Sequence, residues 1–428
     1  YDYADALGKS ILFYEVQRSG YLPPENRIPW RGDSATGDGS DIPIDLEGGW
    51  YDAGDHVKFN FPMAWSVTTL AWGILDFYDA YSAAGQLDYA LDSIRWPLDY
   101  FIKCHPSDNE LWGQCGDGYE DHAYWGRPED MTMYRPSFKV DTGVPGSDLA
   151  GETAAAMAAG SMAFQQTDPS YAATLLDHAR RLHDFAYNYR GLYTAAIPAQ
   201  DFYGSTGYDD ELAFSAAWLY RATGEQLYLD RVNEFYSSGV PWAYSWDDKN
   251  AGVQMLMYIA TGDTQYSGHV EAFLRSWFPG GSVQYTPLGL AWRDQWGCLR
   301  YTGNTAFIAT MAASYGIIAQ EARDWAAGQL GYILGDTGRS YVCGFGNNPP
   351  LRPHHRAASC PDAPATCDWS HHDSPDPNPH TLDGALVGGP DANDYYEDDR
   401  TDYIFNEVAC DYNAGFQGAL AGLLSLGL

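Results

Sequence analysis

The chain has no long apolar run and few basic residues. Stretches of about 18 or more strongly apolar residues, which a membrane-spanning helix needs, do not occur. The 428 residues include only 24 Lys and Arg against 57 Asp and Glu, which gives a net charge of −33. A protein this acidic repels phosphate groups, which argues against nucleic acid or an anionic membrane as a partner. The composition fits a neutral or cationic substrate.

Linkers and low-complexity segments are also missing, and the alternation typical of strands is scarce. The chain is longer than most single domains, yet barrel folds reach this length as one unit. Because no boundary interrupts it, we expect residues 1–428 to form a single domain. The first residue is Tyr1, with no Met and no basic-then-apolar leader. A secreted protein that has lost its signal peptide would begin this way, and so would a trimmed chain.

Cysteine is sparse, and the seven residues are an odd number. Two pairs bracket short loops, at spacings that suit local disulfides in an oxidising compartment. These pairs are Cys104 with Cys115 and Cys360 with Cys367. The other three cysteines are then free or partly paired: Cys298, Cys343 and Cys410. None of the spacings matches a zinc site well.

Aromatic residues, in contrast, are abundant. They make up 15% of the chain, with 15 Trp and 33 Tyr. At least half of these rings are expected in the core, where large apolar surfaces are buried. Rings that remain exposed in a groove can stack on the flat apolar faces of sugar rings. The composition therefore favours a carbohydrate ligand, although core packing accounts for many of the rings.

A helical period recurs along the chain. Val67, Leu70 and Ala71 begin an apolar face that repeats at i, i+3 and i+4. Two other helical patterns end at a glycine, Gly224 and Gly262, as helix C-termini often do. The same test predicts helices near residues 3–17, 65–83, 87–104, 149–165, 169–189, 209–223, 225–237, 248–261, 264–277, 302–316, 320–334 and 407–424.

Twelve helices joined mostly by short turns predict an all-α fold of six helical hairpins. Most of the helices are rich in Ala and Gly, so neighbours can pack closely around a common axis. This favours a closed ring of hairpins over an open bundle. Three connections are long, at residues 18–64, 105–148 and 335–406. Long irregular loops in a compact domain are usually functional.

The segment GGWYDAGDHVKF, residues 48–59, places Asp52 and Asp55 three residues apart among glycines and aromatics. Neighbouring carboxylates raise each other's pKa unless donors hold both ionised. A water held between them would be activated for attack, which is general-base chemistry. The two acids can equally form a turn in which they accept hydrogen bonds from local backbone amides. The segment alone leaves both interpretations open.

A second acidic cluster ends at Glu407, next to an apolar helical pattern. Packed against Phe405, Val408 and Tyr412, this carboxyl would be partly desolvated, which raises its pKa and suits a proton donor. The alternative is an acid at a helix N-terminus, favoured there by the helix dipole.

Three motifs together resemble glycoside hydrolase family nine endoglucanases of the kind that animals secrete: GGWYDAGDHVKF, RPHHR and YEDDRTDYIFNEVACDYNA. The C-terminal signature of that family is met at every fixed position: Tyr396, Asp398, Tyr403, Glu407, Ala409, Asn413 and Ala414. The histidine signature, Ser340 to Arg356, fits at Gly346, Asn348, Pro353, His354 and Arg356. It departs at Cys343, where the family usually has Ser, Thr or Val. The resemblance extends to residue 427 and implies an (α/α) six-hairpin barrel, a single catalytic domain without a carbohydrate-binding module.

The resemblance also implies roles for individual residues. Asp55 would be the general base that activates water, Asp52 its partner, and Glu407 the general acid that protonates the leaving glucosyl oxygen. The implied reaction is hydrolysis of cellulose-like β-1,4-glucan and cello-oligosaccharides with inversion, by a monomer secreted for digestion. Substrate contacts are implied for His122, Trp125, Tyr203, Trp242, Trp296, Arg300, His354, Arg356 and Tyr412.

A set of oxygen donors predicts a site for a hard cation. STGYDDEL and the later SWDDK offer only oxygen ligands if the two loops meet, and such a set selects Ca²⁺. The alternative is that Asp209 or Asp210 caps a helix. The resemblance supports a structural calcium ion and no organic cofactor. The predicted ligands are Thr206, Gly207, Asp210, Glu211 and Asp247.

Other functions were weighed against this one. The pairs His354–His355 and His371–His372 do not favour zinc, because adjacent residues rarely ligate one metal well and no carboxylate has a suitable spacing. A non-catalytic carbohydrate-binding protein would have no need for two aspartates and a glutamate of this kind. A hydrolase that prefers another β-glucan, or one that acts processively, stays an open alternative.

Overall fold

The computed structural model describes residues 1–428, and twelve long helices dominate it. They are α1 (Tyr3–Val16), α2 (Asn60–Asp76), α3 (Leu87–Cys104), α4 (Ser147–Phe164), α5 (Pro169–Asn188), α6 (Asp209–Thr223), α7 (Gln226–Phe235), α8 (Asn250–Thr261), α9 (Thr264–Trp277), α10 (Cys298–Ser314), α11 (Ala319–Leu334) and α12 (Cys410–Ser425). Short helical segments are Tyr78–Ala83, Gly118–His122, Pro128–Asp130, Tyr193–Ala195, Gln200–Tyr203, Arg356–Ser359, Trp369–His372 and Tyr403–Asn406.

Five short strands lie in the connections. They are β1 (Lys58–Phe59), β2 (Glu110–Cys115), β3 (Ser137–Asp141), β4 (Gln284–Tyr285) and β5 (Ala291–Trp292). The first three form an antiparallel sheet in the order β1-β2-β3, and β4 pairs with β5. The sheet joins the first two long connections, because β1 lies in one and β2 and β3 lie in the other.

Six helices form a closed inner ring. In chain order α2, α4, α6, α8, α10 and α12 each pack on the next, and α12 packs back on α2. The other six surround them, each against an inner helix: α1 on α12, α3 on α2, α5 on α4, α7 on α6, α9 on α8 and α11 on α10. The predicted (α/α) barrel of six hairpins is thus confirmed, including its closure.

Small residues allow the inner helices to pack closely. Every residue of α4 except Met162 is buried. At Gly418, on α12, a Cβ atom would lie 2.5 Å from the ring of Phe307 on α10, so only glycine fits there. The outer helices instead bury one apolar face, as Leu175 and Leu182 do on α5.

The alternation of inner and outer helices places all six inner N-termini at one end of the ring. The connections that enter the inner helices are long: 17–59, 105–146, 189–208, 236–249, 278–297 and 335–409. Most of those that leave them are turns of a few residues, such as 165–168, 224–225 and 262–263. The irregular chain therefore gathers at the end toward which the positive ends of the inner helix dipoles point, an environment that favours carboxylates.

Helix ends differ from prediction at three places. The helix predicted at 65–83 runs from Asn60 to Asp76, and Phe77 (φ −120°, ψ 30°) separates it from the short helix that follows. α10 begins earlier than predicted, directly after Gly297. The φ of Gly297 is 67°, a left-handed conformation that a right-handed helix cannot include. Gly224 and Gly262 adopt the left-handed conformation at helix ends, as predicted.

The third difference concerns Glu407. The predicted helix at 407–424 begins only at Cys410, and Glu407 lies in extended backbone (φ −58°, ψ 146°). Its backbone forms an isolated parallel bridge with His354. The interpretation of this residue as an acid in the first turn of a helix is therefore wrong.

One of the two predicted disulfides is present. Cys360 and Cys367 are joined, as predicted. Cys104 and Cys115 are buried free thiols, so the second prediction is wrong. Asn60 Nδ2 donates to Cys104 Sγ, and Cys115 Sγ contacts the Tyr100 hydroxyl, each at 3.5 Å. Each sulfur thus has a polar neighbour of its own. The remaining cysteines are free and buried: Cys298, Cys343 and Cys410.

None of the helices combines the length and the apolar character that crossing a membrane would require.

Candidate active site

A cleft of about 770 Å³ opens at the end of the ring where the inner helices begin. Each of the three longest connections contributes to its wall. Eleven of the twelve residues predicted to be catalytic or to bind substrate line it: Asp52, Asp55, His122, Trp125, Tyr203, Trp296, Arg300, His354, Arg356, Glu407 and Tyr412. Residues up to 360 positions apart in the chain are thus brought together.

Two carboxyls reach the cleft from the connection before α2. Asp52 is 4% exposed and Asp55 is 8% exposed. The Tyr203 hydroxyl donates to Asp52 Oδ2 at 2.5 Å, whereas Asp52 Oδ1 is buried without a partner. Asp55 Oδ1 accepts from the Ala53 amide at 3.0 Å, and Asp55 Oδ2 lies 3.5 Å from His122 Nε2. Asp55 therefore accepts a hydrogen bond from a local backbone amide, as the turn interpretation requires, and it also faces the cleft. Its role as a general base stays a prediction.

The two carboxyls differ in how readily they ionise. Burial raises the pKa of Asp52 well above its usual range, and the charges of Asp55 and Asp411 add to the effect. Burial also opposes ionisation of Asp55, but the hydrogen bond and charge of His122 and the charge of Arg356 lower its pKa. For His122, burial opposes the charged form, and Asp55 outweighs this and raises the pKa. Asp55 is thus the more readily ionised member of the pair.

Arg356 lies close behind Asp55. Its Nη1 donates to Asp121 Oδ2 at 2.5 Å, and its backbone amide donates to the Gly54 carbonyl at 3.1 Å. The ligand atoms of Asp55, Asp121 and His122 all lie within 4.8 Å of one another, which could hold a cation. Because Arg356 and His122 already balance these two carboxylates, we assign the group to charge compensation around Asp55.

Glu407 enters the cleft from the segment before α12. Its Oε2 accepts hydrogen bonds from Trp296 Nε1 at 2.6 Å and from the Tyr412 hydroxyl at 3.0 Å. Burial raises the pKa of Glu407; the two hydrogen bonds oppose this shift and the charge of Asp411 supports it. A carboxyl with a raised pKa keeps its proton at a higher pH than usual, and it can then donate that proton near neutral pH.

Arg300, in the first turn of α10, compensates another buried acid, Asp411. Its Nη1 donates to Asp411 Oδ2 at 2.9 Å, and its guanidinium lies 5.0 Å from the centre of the Tyr412 ring. Its Nη2 donates to the Trp296 carbonyl at 3.1 Å. Arg300 thus fixes the backbone of one donor to Glu407 and packs on the ring of the other.

His354 and Trp125 line another part of the cleft and contact each other. His354 Nδ1 donates to the Arg400 carbonyl at 2.7 Å, which leaves Nε2 free for a ligand. Burial lowers the pKa of His354 to about 4, so the ring is neutral at neutral pH. Trp125 packs edge-on against it, with ring centres 5.2 Å apart, and donates through Nε1 to the Ser359 hydroxyl at 3.0 Å.

Trp242 is the one predicted contact residue that does not line the main cleft. It borders a second cavity of about 380 Å³, which shares Trp246 and Tyr301 with the cleft. Its indole is 45% exposed and packs edge-on against Tyr301, with ring centres 5.0 Å apart. The guanidinium of Arg293 lies 4.6 Å from the same indole.

The predicted calcium ligands surround this second cavity in part. The Thr206 amide and hydroxyl both donate to the Asp247 carboxylate at 2.9 Å, so the two loops do meet. Asp210 Oδ2 accepts from the Lys249 amide at 2.8 Å. Thr206, Asp210 and Asp247 line the cavity, whereas Gly207 and Glu211 do not.

Glu211 is fully buried behind the cavity and already has a cationic partner. Lys249 Nζ donates to Glu211 Oε1 at 2.5 Å and lies 2.9 Å from Glu152 Oε2. Glu211 Oε2 is buried without a hydrogen bond. Burial raises the pKa of Glu211 well above its usual range, and the charge of Asp210 adds to the effect, although Lys249 opposes it. One ammonium group therefore does not satisfy this group of acids.

Several cleft residues were not predicted. Trp246 packs edge-on against Tyr203, with ring centres 4.9 Å apart. Trp369 and Tyr403 also line the cleft and are 44% and 48% exposed. Their sequence context carried a signal, because Trp246 adjoins Asp247, Trp369 precedes a histidine pair, and Tyr403 is a fixed aromatic position of the C-terminal signature. Phe202, Tyr301 and His372 also line the cleft; Phe202 and Tyr301 adjoin the predicted Tyr203 and Arg300, and His372 belongs to that histidine pair.

The chain is similar to known proteins over its whole length. Endoglucanase A of Bacillus pumilus is 48% identical over 450 residues, which cover 100% of this chain and 67% of that protein. The structure of an endoglucanase from the termite Nasutitermes takasagoensis matches with 54% identity and a TM-score of 0.98, covering all of both chains. A cellulase of C. cellulolyticum, solved with cellobiose, matches with 36% identity and a TM-score of 0.93, covering 100% of this chain and 99% of the other. The model of glycosyl hydrolase family 9 matches residues 3–420, and the chain belongs to that family.

Proposed function

We propose that the protein is an endo-β-1,4-glucanase that hydrolyses cellulose-like glucan with inversion at the anomeric carbon. One observation carries the assignment of roles: two carboxyls whose pKa values are shifted in opposite directions face the same cleft. The pKa of Asp55 is lowered despite burial by His122 and Arg356, whereas burial raises the pKa of Glu407. An acid and a base separated in this way are what glycosidic hydrolysis requires.

Asp55 acts as the general base. A water beside its carboxylate attacks the anomeric carbon while one proton of that water passes to Asp55. His122 and Arg356 keep Asp55 ionised in the resting enzyme. Asp52, whose pKa is raised, orients the same water through its unpartnered Oδ1 or adjusts the charge of the pair.

Glu407 acts as the general acid. It gives its proton to the glycosidic oxygen as the bond from that oxygen to the anomeric carbon breaks. Trp296 and Tyr412 both donate to Oε2, which leaves Oε1 to carry the proton. After the reaction Glu407 is ionised and Asp55 is protonated, so one proton must return through solvent before the next cycle.

The walls of the cleft bind the sugar chain. Exposed rings of Trp296, Trp369 and Tyr403 can stack on sugar faces, and the neutral His354 offers Nε2 as a hydrogen-bond acceptor for a hydroxyl. The cellobiose in the C. cellulolyticum relative supports cello-oligosaccharides as ligands. A chain that continues past Trp246 would reach Trp242 at the second cavity, which is the contact proposed for that residue.

A calcium ion at the second cavity is part of the proposal. Thr206, Asp210 and Asp247 contribute oxygens there, and the buried Oε2 of Glu211 lacks a partner. Oxygen donors with an excess of negative charge are the set that Ca²⁺ prefers. The ion would hold the loop that follows Tyr203, through Thr206 and Gly207, without taking part in the reaction. Secretion and a monomeric state are further proposals, supported by the disulfide and the acidic composition respectively.

Hydrolysis of carboxymethylcellulose tests the activity directly. We expect new reducing ends together with a rapid fall in viscosity, which is the mark of internal cleavage. NMR of fresh cello-oligosaccharide products should show the α-anomer first. Release of no reducing ends would leave a non-catalytic carbohydrate-binding protein, and initial β-anomer would contradict the roles given to Asp55 and Glu407.

A further inference from the structure

Arg400 is a buried cation that none of the roles above includes. Its side chain is 1% exposed. Nε donates to Asn378 Oδ1 at 2.7 Å, and the two Nη groups donate to the carbonyls of His371, Ser374 and Asp376 at 2.5, 2.9 and 2.8 Å. All of these partners are neutral oxygens. The guanidinium has hydrogen bonds but no carboxylate partner.

A buried charge without a direct ion pair is costly, and an apolar side chain of similar size would often be as stable or more so. What the guanidinium provides instead is geometry. Its five N–H donors point outward in one plane, so a single side chain can bind several carbonyls of an irregular segment. Lysine has three donors on a flexible stem and cannot reproduce the arrangement. Arg400 uses this geometry to bind four oxygens of one segment.

The segment that Arg400 holds carries two cleft residues. Residues 373–378 are irregular and follow the four-residue helix Trp369–His372. Trp369 and His372 both line the cleft, and their ring centres lie 5.5 and 4.6 Å from that of Trp125. The Trp369 indole donates to the Ala123 carbonyl at 3.2 Å, but the segment has so little regular structure that its backbone position depends on further hydrogen bonds such as those of Arg400.

The backbone of the same residue holds a third cleft residue. The Arg400 carbonyl accepts from His354 Nδ1 at 2.7 Å, which sets the tautomer with Nε2 free toward the cleft. Asn378, bound by the guanidinium, also donates through Nδ2 to the Pro353 carbonyl at 3.2 Å. Side chain and backbone of Arg400 therefore join the His354 segment to the segment of Trp369 and His372.

We infer that Arg400 is a positioning residue that fixes the wall formed by His354, Trp369 and His372 against the bound sugar chain. It does not touch substrate and acts only through these three residues. The inference rests on the proposed function, because its readout is glucan hydrolysis. Displacement of binding groups by about 1 Å can cost on the order of 100-fold in rate, so a lost tether has a measurable effect.

A double-mutant cycle between R400K and W369A tests the inference with cellopentaose as substrate. We expect R400K to lower kcat/KM about tenfold, mainly through KM, while the melting temperature changes by a few degrees at most. In a W369A background, R400K should lower kcat/KM clearly less, because interacting residues are not additive. R275K, an exposed arginine on α9, is the matched control and should leave both values unchanged.

Equal losses from R400K in both backgrounds would overturn the inference and leave Arg400 a purely structural residue. If R400K does not fold, N378A carries the same test, because it removes the hydrogen bond to Arg400 Nε and the bond to the Pro353 carbonyl and leaves the guanidinium in place. Additivity of N378A with W369A would then overturn the inference. A wild-type protein that does not cleave cellopentaose would refute the proposed function instead, so the two failures are distinguishable.

Discussion

The backbones of His354 and Glu407 pair in an isolated parallel bridge, although 52 residues separate them. The His354 amide donates to the Asn406 carbonyl at 2.8 Å, next to Glu407. A residue proposed to bind sugar and the proposed proton donor are thereby held in one unit. This pairing fixes the backbone of one residue relative to the backbone of the other.

The roles of the two key carboxylates can be separated by the leaving group. Glu407→Gln should lose far more rate on cellulose than on β-cellobiosyl fluoride, because fluoride leaves with little help from an acid. Asp55→Asn should be crippled on both substrates, because water must be activated in either case. Each loss should be about 10²–10⁴-fold. Asp52→Asn, which keeps the base, should fall between. Equal inactivity of Glu407→Gln on both substrates would contradict its role.

Loss of His122 should move the acidic side of the pH profile. The hydrogen bond and charge of His122 lower the pKa of Asp55, so His122→Ala should raise that pKa toward the value set by burial. The base is then protonated at a higher pH, and kcat/KM should begin to fall at a higher pH as the solution is acidified. His269→Ala, outside the cleft, is the control. An unmoved acidic side would mean that another group sets the ionisation of Asp55.

Loss of the indole donor to Glu407 should move the basic side of the pH profile. The hydrogen bond from Trp296 lowers the pKa of Glu407, so Trp296→Phe should raise it. The acid then keeps its proton to higher pH, and activity should persist further into the alkaline range. Tyr412→Phe removes the second donor and should act in the same direction. Trp292→Phe, whose indole donates to the Pro390 carbonyl instead, should have no such effect. A shift toward lower pH would refute the assignment of Glu407 as acid.

Removal of calcium should destabilise the protein. A ligand that binds only the folded state stabilises it by about 2.7 kcal/mol at 100 times its Kd. We therefore expect EDTA to lower the melting temperature, with a smaller effect on activity at low temperature. Asp210→Ala should have a lower melting temperature and respond less to EDTA. If neither chelation nor Asp210→Ala changes the melting temperature, Lys249 alone balances the site and the calcium proposal fails.

Local sequence patterns predicted much of this fold. The 3.6-residue period placed all twelve long helices, because each buries an apolar stripe or its whole surface whatever its partners. Gly224 and Gly262 marked helix ends, since left-handed backbone favours glycine. The sequence also indicated the aspartate pair and Glu407 as candidate catalytic residues, because acids among aromatics and glycines differ from the charged residues of an ordinary protein surface.

Other features depended on contacts between distant segments. Glu407 was expected at a helix start, but its pairing with His354 keeps it extended. Cys104 and Cys115 have a spacing that suits a disulfide, yet each thiol has its own polar neighbour. Trp242 shares its residue type with the cleft aromatics but borders the second cavity. In each case the outcome follows from which segment packs alongside, and spacing along the chain does not contain that information.

The sequence by itself determined the helices, the six hairpins and the residue types that glycoside hydrolysis needs. Only the tertiary structure decided which carboxyl ionises more readily, because pKa values depend on burial and on charges brought from elsewhere. Asp52 and Asp55 are three residues apart, yet His122 and Arg356 reach only one of them closely enough to lower its pKa. The alternation of inner and outer helices supplies the physical reason: it places all six inner helix N-termini at the end of the ring where the cleft opens, and there side chains from distant segments set each other's charge.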